Sequence, residues 1–245
     1  HGDLTSLLHP NMKLLSKFSV AGEHEIIREE PMECDSIDNI MTDNSSLHLD
    51  FLKIDVQGCN YEALVGAKHQ LKKSVLGVHT ELEFVEKYEG QALFGDIFNY
   101  LNDLGFDVFD IQRWFWKRKV NAHSGGPKGQ IVFGNALFLR RMESFKNFIS
   151  ELSAEEQKIA IEKYIFISLA YGYIDFAAEI LEEFKAHIEI EAHARLTNAN
   201  ASLSKRTILP KFKGRDRIEV TLRALLQLFC KDSYFYGDRS LGNRF

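Results

Sequence analysis

Cysteine is scarce in this chain. The three residues, Cys34, Cys59 and Cys230, lie far apart and form no Cys-x-x-Cys pair. An odd number at such spacing gives no disulfide framework, so the thiols read as reduced side chains of a cytosolic (cytoplasmic) protein. Long apolar runs are missing too. The longest uncharged apolar stretch, Tyr164 to Ile174, has 11 residues; a membrane span needs roughly 20. No secretory leader pattern is seen. Basic charge is not in excess: the formal net charge of -5 and an isoelectric point near 6.0 argue against nucleic acid as an obligatory partner, since phosphate binding needs a basic surface. Internal repeats and low-complexity tracts are absent. A composition of 45% hydrophobic and 27% charged residues is that of an ordinary globular protein. The 245 residues accommodate one large domain, or a medium domain with an appendage. The chain opens on His1 rather than Met, and Gly2-Asp3-Leu4 reads as the interior of a longer sequence.

What the chain does contain is an α/β pattern. Phe51 to Val56 is a short apolar, β-branched run ending at Asp55, and a second run over 75–81 ends on Glu81. Between them, Tyr61, Leu64, Val65, Ala67 and Leu71 have helical spacing. Strand, helix and strand at that pitch predict a parallel βαβ unit, with a helix from the N-cap Asn60 to about Lys73. Phe94, Ile97, Phe98 and Leu101 predict a second helix over 92–104, stopped by Gly105. Strands follow at Phe106 to Ile111 and at Gln130 to Leu139, joined by a basic, glycine-containing loop over 117–128 that suggests an antiparallel hairpin at the sheet edge. Residues 1–32 read as loop with a strand at Glu25 to Arg28, and Asp35 to Met41 as a short helical turn. From about residue 143 the texture turns helical, at Ile159 to Leu169, Ala177 to Phe184 and Arg217 to Leu228, with 187–214 a linker. The division expected is therefore 1–142, a sheet domain, and 143–245, a helical extension.

Several blocks in this order resemble a known family. Phe51-Leu52-Lys53-Ile54-Asp55-Val56-Gln57-Gly58, with Glu62 and Leu64-Val65-Gly66-Ala67, is similar to the central motif of FkbM-type S-adenosylmethionine-dependent methyltransferases. Glu81-Leu82-Glu83-Phe84, Tyr88-Glu89-Gly90-Gln91, Leu93-Phe94, Gly105-Phe106 and Gly129-Gln130 through Ala136 to Arg140 continue the likeness. Ser6-Leu7-Leu8 with Pro10-Asn11, and Ile37-Asp38, precede it. The resemblance covers about residues 1–140. It implies a partial Rossmann-like methyltransferase sheet, mostly parallel with an antiparallel C-terminal hairpin, plus the helical extension. It also implies S-adenosyl-L-methionine as cofactor and O-methylation of a hydroxyl on a sugar or small metabolite. Two departures accompany it. The glycine-rich cofactor loop and the ribose-binding acid are not found and are expected upstream of His1. Asn60 and Asn135 stand where the family usually has Glu and Asp, and Gln57 where it commonly has Glu.

Open parallel sheets place ligands at the carboxyl ends of their strands, where Asp55 and Glu81 are expected side by side. Both are candidates for catalysis: Asp55 to position the cofactor or the acceptor hydroxyl, Glu81 as base or substrate ligand. Gln57 and Gly58 join Asp55 as candidate cofactor contacts. His79 shares a face with Glu81, and with Glu83, Tyr88 and Trp114 it forms the candidate substrate set, suited to a small-molecule or glycan acceptor. No metal is expected. Beside these stand structural readings: Asp55 bonded to the backbone of its own turn, Glu81 paired with a loop cation such as Arg118, and Tyr88 as a packing aromatic. A non-catalytic methyltransferase-fold module that binds a partner or glycan is the rival function. With part of the sheet missing, the 51–56 strand leaves an edge open to homo-oligomer formation. On this reading the isolated 245 residues bind S-adenosylmethionine poorly and are inactive alone. Isothermal titration is expected to show weak or no binding, and tight binding would contradict it.

Overall fold

The computed structural model describes residues 5–44, 47–120, 129–204, 217–218, 221–222, 225 and 235–237. Two short helices come first, α1 (Met12–Leu15) and α2 (Ile37–Asp43). The βαβ unit follows as β1 (Phe51–Ile54), α3 (Asn60–Val65), α4 (Lys68–Lys73) and β2 (Gly77–Glu83). Next are α5 (Phe94–Asp103), β3 (Phe106–Trp116) and β4 (Gln130–Arg140). The chain continues through α6 (Met142–Ser150), α7 (Ala154–Ala170), α8 (Ile174–Glu183), α9 (Ile190–Ser204) and β5 (Phe235–Gly237).

The strands form one sheet in the order β1-β2-β4-β3-β5. β1 and β2 are parallel, while β4 is antiparallel to both of its neighbours, β2 and β3. β1, β2 and β3 therefore run in one direction, with β4 reversed between them and β5 reversed at the far side. This is the expected α/β sheet with its antiparallel hairpin. The β4 strand inserts beside β2 rather than closing the edge, which puts β3 further out.

Alternation along the strands builds two cores. Leu52, Ile54, Val78, Leu82, Ala136 and Phe138 point to one face and pack on Leu64, Leu71, Ile97 and Leu101 of α3, α4 and α5. Leu137 and Leu139 point to the other face and pack on Phe145, Ile161, Tyr164, Ile165 and Ile180 of α6, α7 and α8. A sheet with helices on both faces results, and α6 to α8 share their core with the strands. The stretch expected to be a linker is helical over Ile190–Ser204, where its many alanines favour helix. Glu25 to Arg28 forms no strand. Residues 121–128 of the basic loop, most of Arg217 to Leu228, and Cys230 lie outside the described residues.

Local chemistry moves several boundaries. The helix expected over 60–73 is two helices, because α4 starts afresh at Lys68 with its first turn capped from outside. The Asp38 carboxylate accepts from His69 N at 2.8 Å and Gln70 N at 3.0 Å, an anion at the positive end of a helix. At the other end of α4, the buried Arg140 guanidinium donates to the carbonyls of Leu71 at 2.6 Å and Val75 at 2.7 Å. Rings of Phe106 and Phe148 flank it at 5.1 and 5.2 Å, and burial pulls its pKa down to about 10. The Tyr164 hydroxyl donates to the Arg140 carbonyl, so one residue ties α4, β4 and α7 together.

The β1–β2 register is pinned by a glycine. Phe51 pairs with Gly77, and a Cβ at Gly77 would meet the Phe51 ring at 2.8 Å and Leu139 Cδ2 at 2.9 Å. The Phe51 ring fills that space and stacks on Tyr171 with centroids 5.5 Å apart. Gly77→Val is expected to destabilise the protein by about 1–3 kcal/mol, the usual cost of overpacking, measured by guanidinium unfolding.

Candidate active site

The in-register pairing of β1 with β2 ends at Ile54 and Thr80, so Asp55 and Glu81 are the residues that follow the last paired rung. Glu81 pairs in turn with Asn135 of β4, and Asn135 with Gln112 of β3. Glu81, Asn135 and Gln112 thus line one row across three strands, on one face, and Asp55 follows the end of β1. The row below holds Lys53 and His79, and the row above holds Glu83, Phe133 and Trp114. Glu81 does not end its strand as the sequence suggested. β2 runs on to Glu83, because β4 continues to pair with it there.

Asp55 is exposed, and its Oδ1 accepts from Gln57 Nε2 at 3.4 Å. The backbone of the following turn is closed by a different group. Val56 N donates to Asn60 Oδ1 at 3.1 Å, so Asn60 serves the turn and Cys59 is the N-cap residue of α3. Gly58 has φ of 91°, a left-handed conformation that a side chain resists. A Cβ there would also meet the Tyr88 ring at 2.8 Å. Tyr88 is only 2% exposed, and its hydroxyl donates to Gln57 Oε1 at 3.3 Å. Its amide donates to Gln91 Oε1 at 2.6 Å. Tyr88 thus packs the turn that holds Gln57 and Gly58, rather than standing open to a ligand.

Glu81 and Glu83 are both buried, and Lys87 meets them both. Lys87 Nζ lies 2.8 Å from Glu83 Oε1 and 3.9 Å from Glu81 Oε2, and 4.4 Å from the centre of the Phe133 ring. Burial pushes the Glu83 carboxyl well above the usual range; Lys87 opposes this and Glu81 adds to it. Burial opposes the Lys87 charge, but the two carboxylates outweigh it and raise its pKa. Glu81 Oε2 and Glu83 Oε2 make no hydrogen bond among the described residues.

His79 is half-buried under the helical layer, with Nδ1 3.4 Å from the Tyr171 hydroxyl. Burial lowers its pKa, with Lys53 adding to the effect. Trp114 stacks on Phe133, with centroids 5.2 Å apart and planes 7° from parallel. Its neighbour Trp116 is 4% exposed and sits against Phe18 and His24 at 5.4 and 6.0 Å. Arg118 lies over Phe18 at 4.4 Å.

The first residues strap this edge. Ser6 Oγ donates to the Gln57 carbonyl at 2.6 Å, Pro10 bridges to Tyr88, and Asn11 N donates to the Lys87 carbonyl at 2.8 Å. His24 is buried beside Tyr88 and Trp116, with Nδ1 3.2 Å from the Val20 carbonyl. Lys87 and His24 were not singled out from sequence. Lys87 had a readable signal, two alternating acids followed by a lysine four residues after the second; His24 had none. No group of His, Cys, Asp and Glu that could hold a metal occurs among the described residues. A cavity of about 570 Å³ lies at the opposite edge, lined by His69, Lys72, Lys73 and Arg140 among others, but Arg140 is already committed to the carbonyl end of α4.

One comparison with known families finds a match. Residues 5–108 match the model of the methyltransferase FkbM domain, in agreement with the sequence resemblance. No curated protein and no solved structure matches the chain. No helix among the described residues is long and apolar enough to cross a membrane.

The strap gives a pH prediction. Burial lowers the pKa of His24 below the ordinary 6.5. The unfolded chain therefore binds the proton first, and stability present above pH 6.5 is lost as pH falls through the lowered value. Thermal unfolding between pH 7 and 5 is expected to show a smaller acid-side loss in His24→Gln than in the parent.

Proposed function

We propose that this protein is an S-adenosylmethionine-dependent O-methyltransferase acting on a hydroxyl of a small polar acceptor, such as a sugar or other metabolite. The observation that carries the reading is the register that sets Asp55 beside Glu81 at the carboxyl edge of a domain matched by the methyltransferase model. The donor set fits the group. An exposed carboxylate suits a sulfonium cation, and a buried carboxylate oxygen with no hydrogen-bond partner suits a hydroxyl donor. S-adenosylmethionine, when bound, supplies an electrophilic methyl group. The residues of this chain supply charge and alignment. Asp55, steadied by Gln57, faces the cationic side, and Glu81 orients the acceptor hydroxyl and takes its proton. Asn135 and Gln112 extend the polar row along which a polyhydroxylated acceptor would lie. The stacked Trp114 and Phe133 offer an aromatic border one row above.

A non-catalytic module for partner or glycan binding is the second reading. The depth of Glu81, 6% exposed, is the observation in its favour. Methyl incorporation from labelled S-adenosylmethionine into a panel of hydroxylated acceptors, with the intact protein, separates the two. Asp55→Ala and Glu81→Gln are each expected to lower kcat/KM by roughly 10²–10⁴, the size of a general-base contribution. Undiminished turnover would remove either residue from the mechanism.

A further inference from the structure

The cavity of about 570 Å³ at the edge opposite Asp55 and Glu81 has α4 on one side and α6 on the other. Its volume falls in the range of small-molecule sites. His69, Lys72 and Lys73 come from α4, and Glu151 is the one acid among the described residues on its wall. Both lysines are exposed, and neither forms an ion pair among the described residues. Acids just off the wall are engaged elsewhere, Asp38 with the amides of His69 and Gln70 and Asp107 with Arg141. A further positive charge stands behind the lysines. The Arg140 guanidinium is 2% exposed and meets carbonyls and rings, but no carboxylate among the described residues. Its charge is buried without an anion to offset it.

Two local features make this wall receptive to an anion. A helix C-terminus ordinarily repels one, but Arg140 takes up the last carbonyls of α4, those of Leu71 and Lys72. The charge of the two lysines there is left unopposed by them. Ser144 lies in the first turn of α6, whose positive end receives no side-chain cap from Arg141. Its Oγ accepts from Arg140 Nη1 at 3.3 Å, which leaves its O–H to donate, and Asn147 adds an amide one turn on. Beside these donors the wall is apolar, at Leu104, Phe148 and Leu152. We propose that this cavity binds a small organic phosphate monoester, with Lys72 and Lys73 on the phosphate, Ser144 and Asn147 donating to its oxygens, and the organic part against Phe148 and Leu152. A phosphate monoester is close to a dianion at neutral pH, so it satisfies two lysines where a carboxylate satisfies one. The site is separate from the methyl-transfer reading and stands or falls without it.

The test titrates the intact protein with phenyl phosphate, inorganic phosphate and phenol, read by the amide NMR shifts of α4 and of the first turns of α6. Phenyl phosphate is expected to shift Lys72, Lys73 and Ser144 saturably, with affinity falling as salt rises. Inorganic phosphate is expected to bind the same residues more weakly, and phenol not to bind. The double variant Lys72→Gln with Lys73→Gln is expected to weaken the ester by roughly tenfold or more, the size of lost charged hydrogen bonds. Both lysines are exposed, so that variant keeps the unfolding midpoint of the parent. Glu151→Gln removes the like charge facing the phosphate and is expected to tighten binding. Amides of α4 and α6 unmoved by about 10 mM ester, an affinity unchanged in the double lysine variant, or looser binding in Glu151→Gln would overturn the proposal. Phenol or inorganic phosphate bound as tightly as the ester would overturn the choice of ligand.

Discussion

The parallel register between β1 and β2 is the constraint on which the site depends. Side chains alternate along a strand, so a slip of one residue would send Asp55 to the opposite face from Glu81. It would also turn Leu52 and Ile54 out of the core they share with Leu64 and Leu71. The register is therefore held by hydrophobic burial on one face. On the other it is held by a steric key, the Phe51 ring lying over Gly77 between Leu139 and Tyr171. A fold that satisfies its core in this way places two acids side by side as a consequence.

Around that row the molecule divides its work by layer. Helices α6 to α8 cover the lower rows of one face, and Tyr171 brings a hydroxyl to His79 at the limit of their cover. Residues 5–24 and the Lys87–Gln91 turn cover the upper row, with Tyr88 filling the space above Gly58. Between the two covers lies the polar row from Asp55 to Gln112. An arrangement in which apolar cover stops on both sides of a polar band is what a site needs if it is to exclude water yet bind hydroxyls. At the opposite edge Arg140 serves structure instead, closing the carbonyl end of α4.

Much of this was legible in the sequence. The runs at 51–56 and 75–81, the period of Phe94 to Leu101 and the stop at Gly105 follow from local spacing, and the structure has strands at Phe51–Ile54 and Gly77–Glu83 and a helix at Phe94–Asp103. The family blocks were legible because they preserve order as well as identity. What could not be read depends on contacts distant along the chain. The break between α3 and α4 comes from Asp38, 31 residues before His69. The loss of Trp116 to a core with Phe18 and His24 comes from the strap. The insertion of β4 beside β2 is a matter of topology that spacing does not encode. Tyr88 shows the same limit at the site itself: its identity suggested a ligand contact, but its burial makes it a support for the Gln57–Gly58 turn.

The most direct measurement of the central claim is an experimental structure of the intact protein with S-adenosylhomocysteine bound. The expected result has the sulfur near the carboxyl edge of β1, with Asp55 on its near side and Glu81 open to the same hollow. A ligand seated at the amino edge beside Arg140, or a Glu81 still sealed away from the bound molecule, would contradict the account.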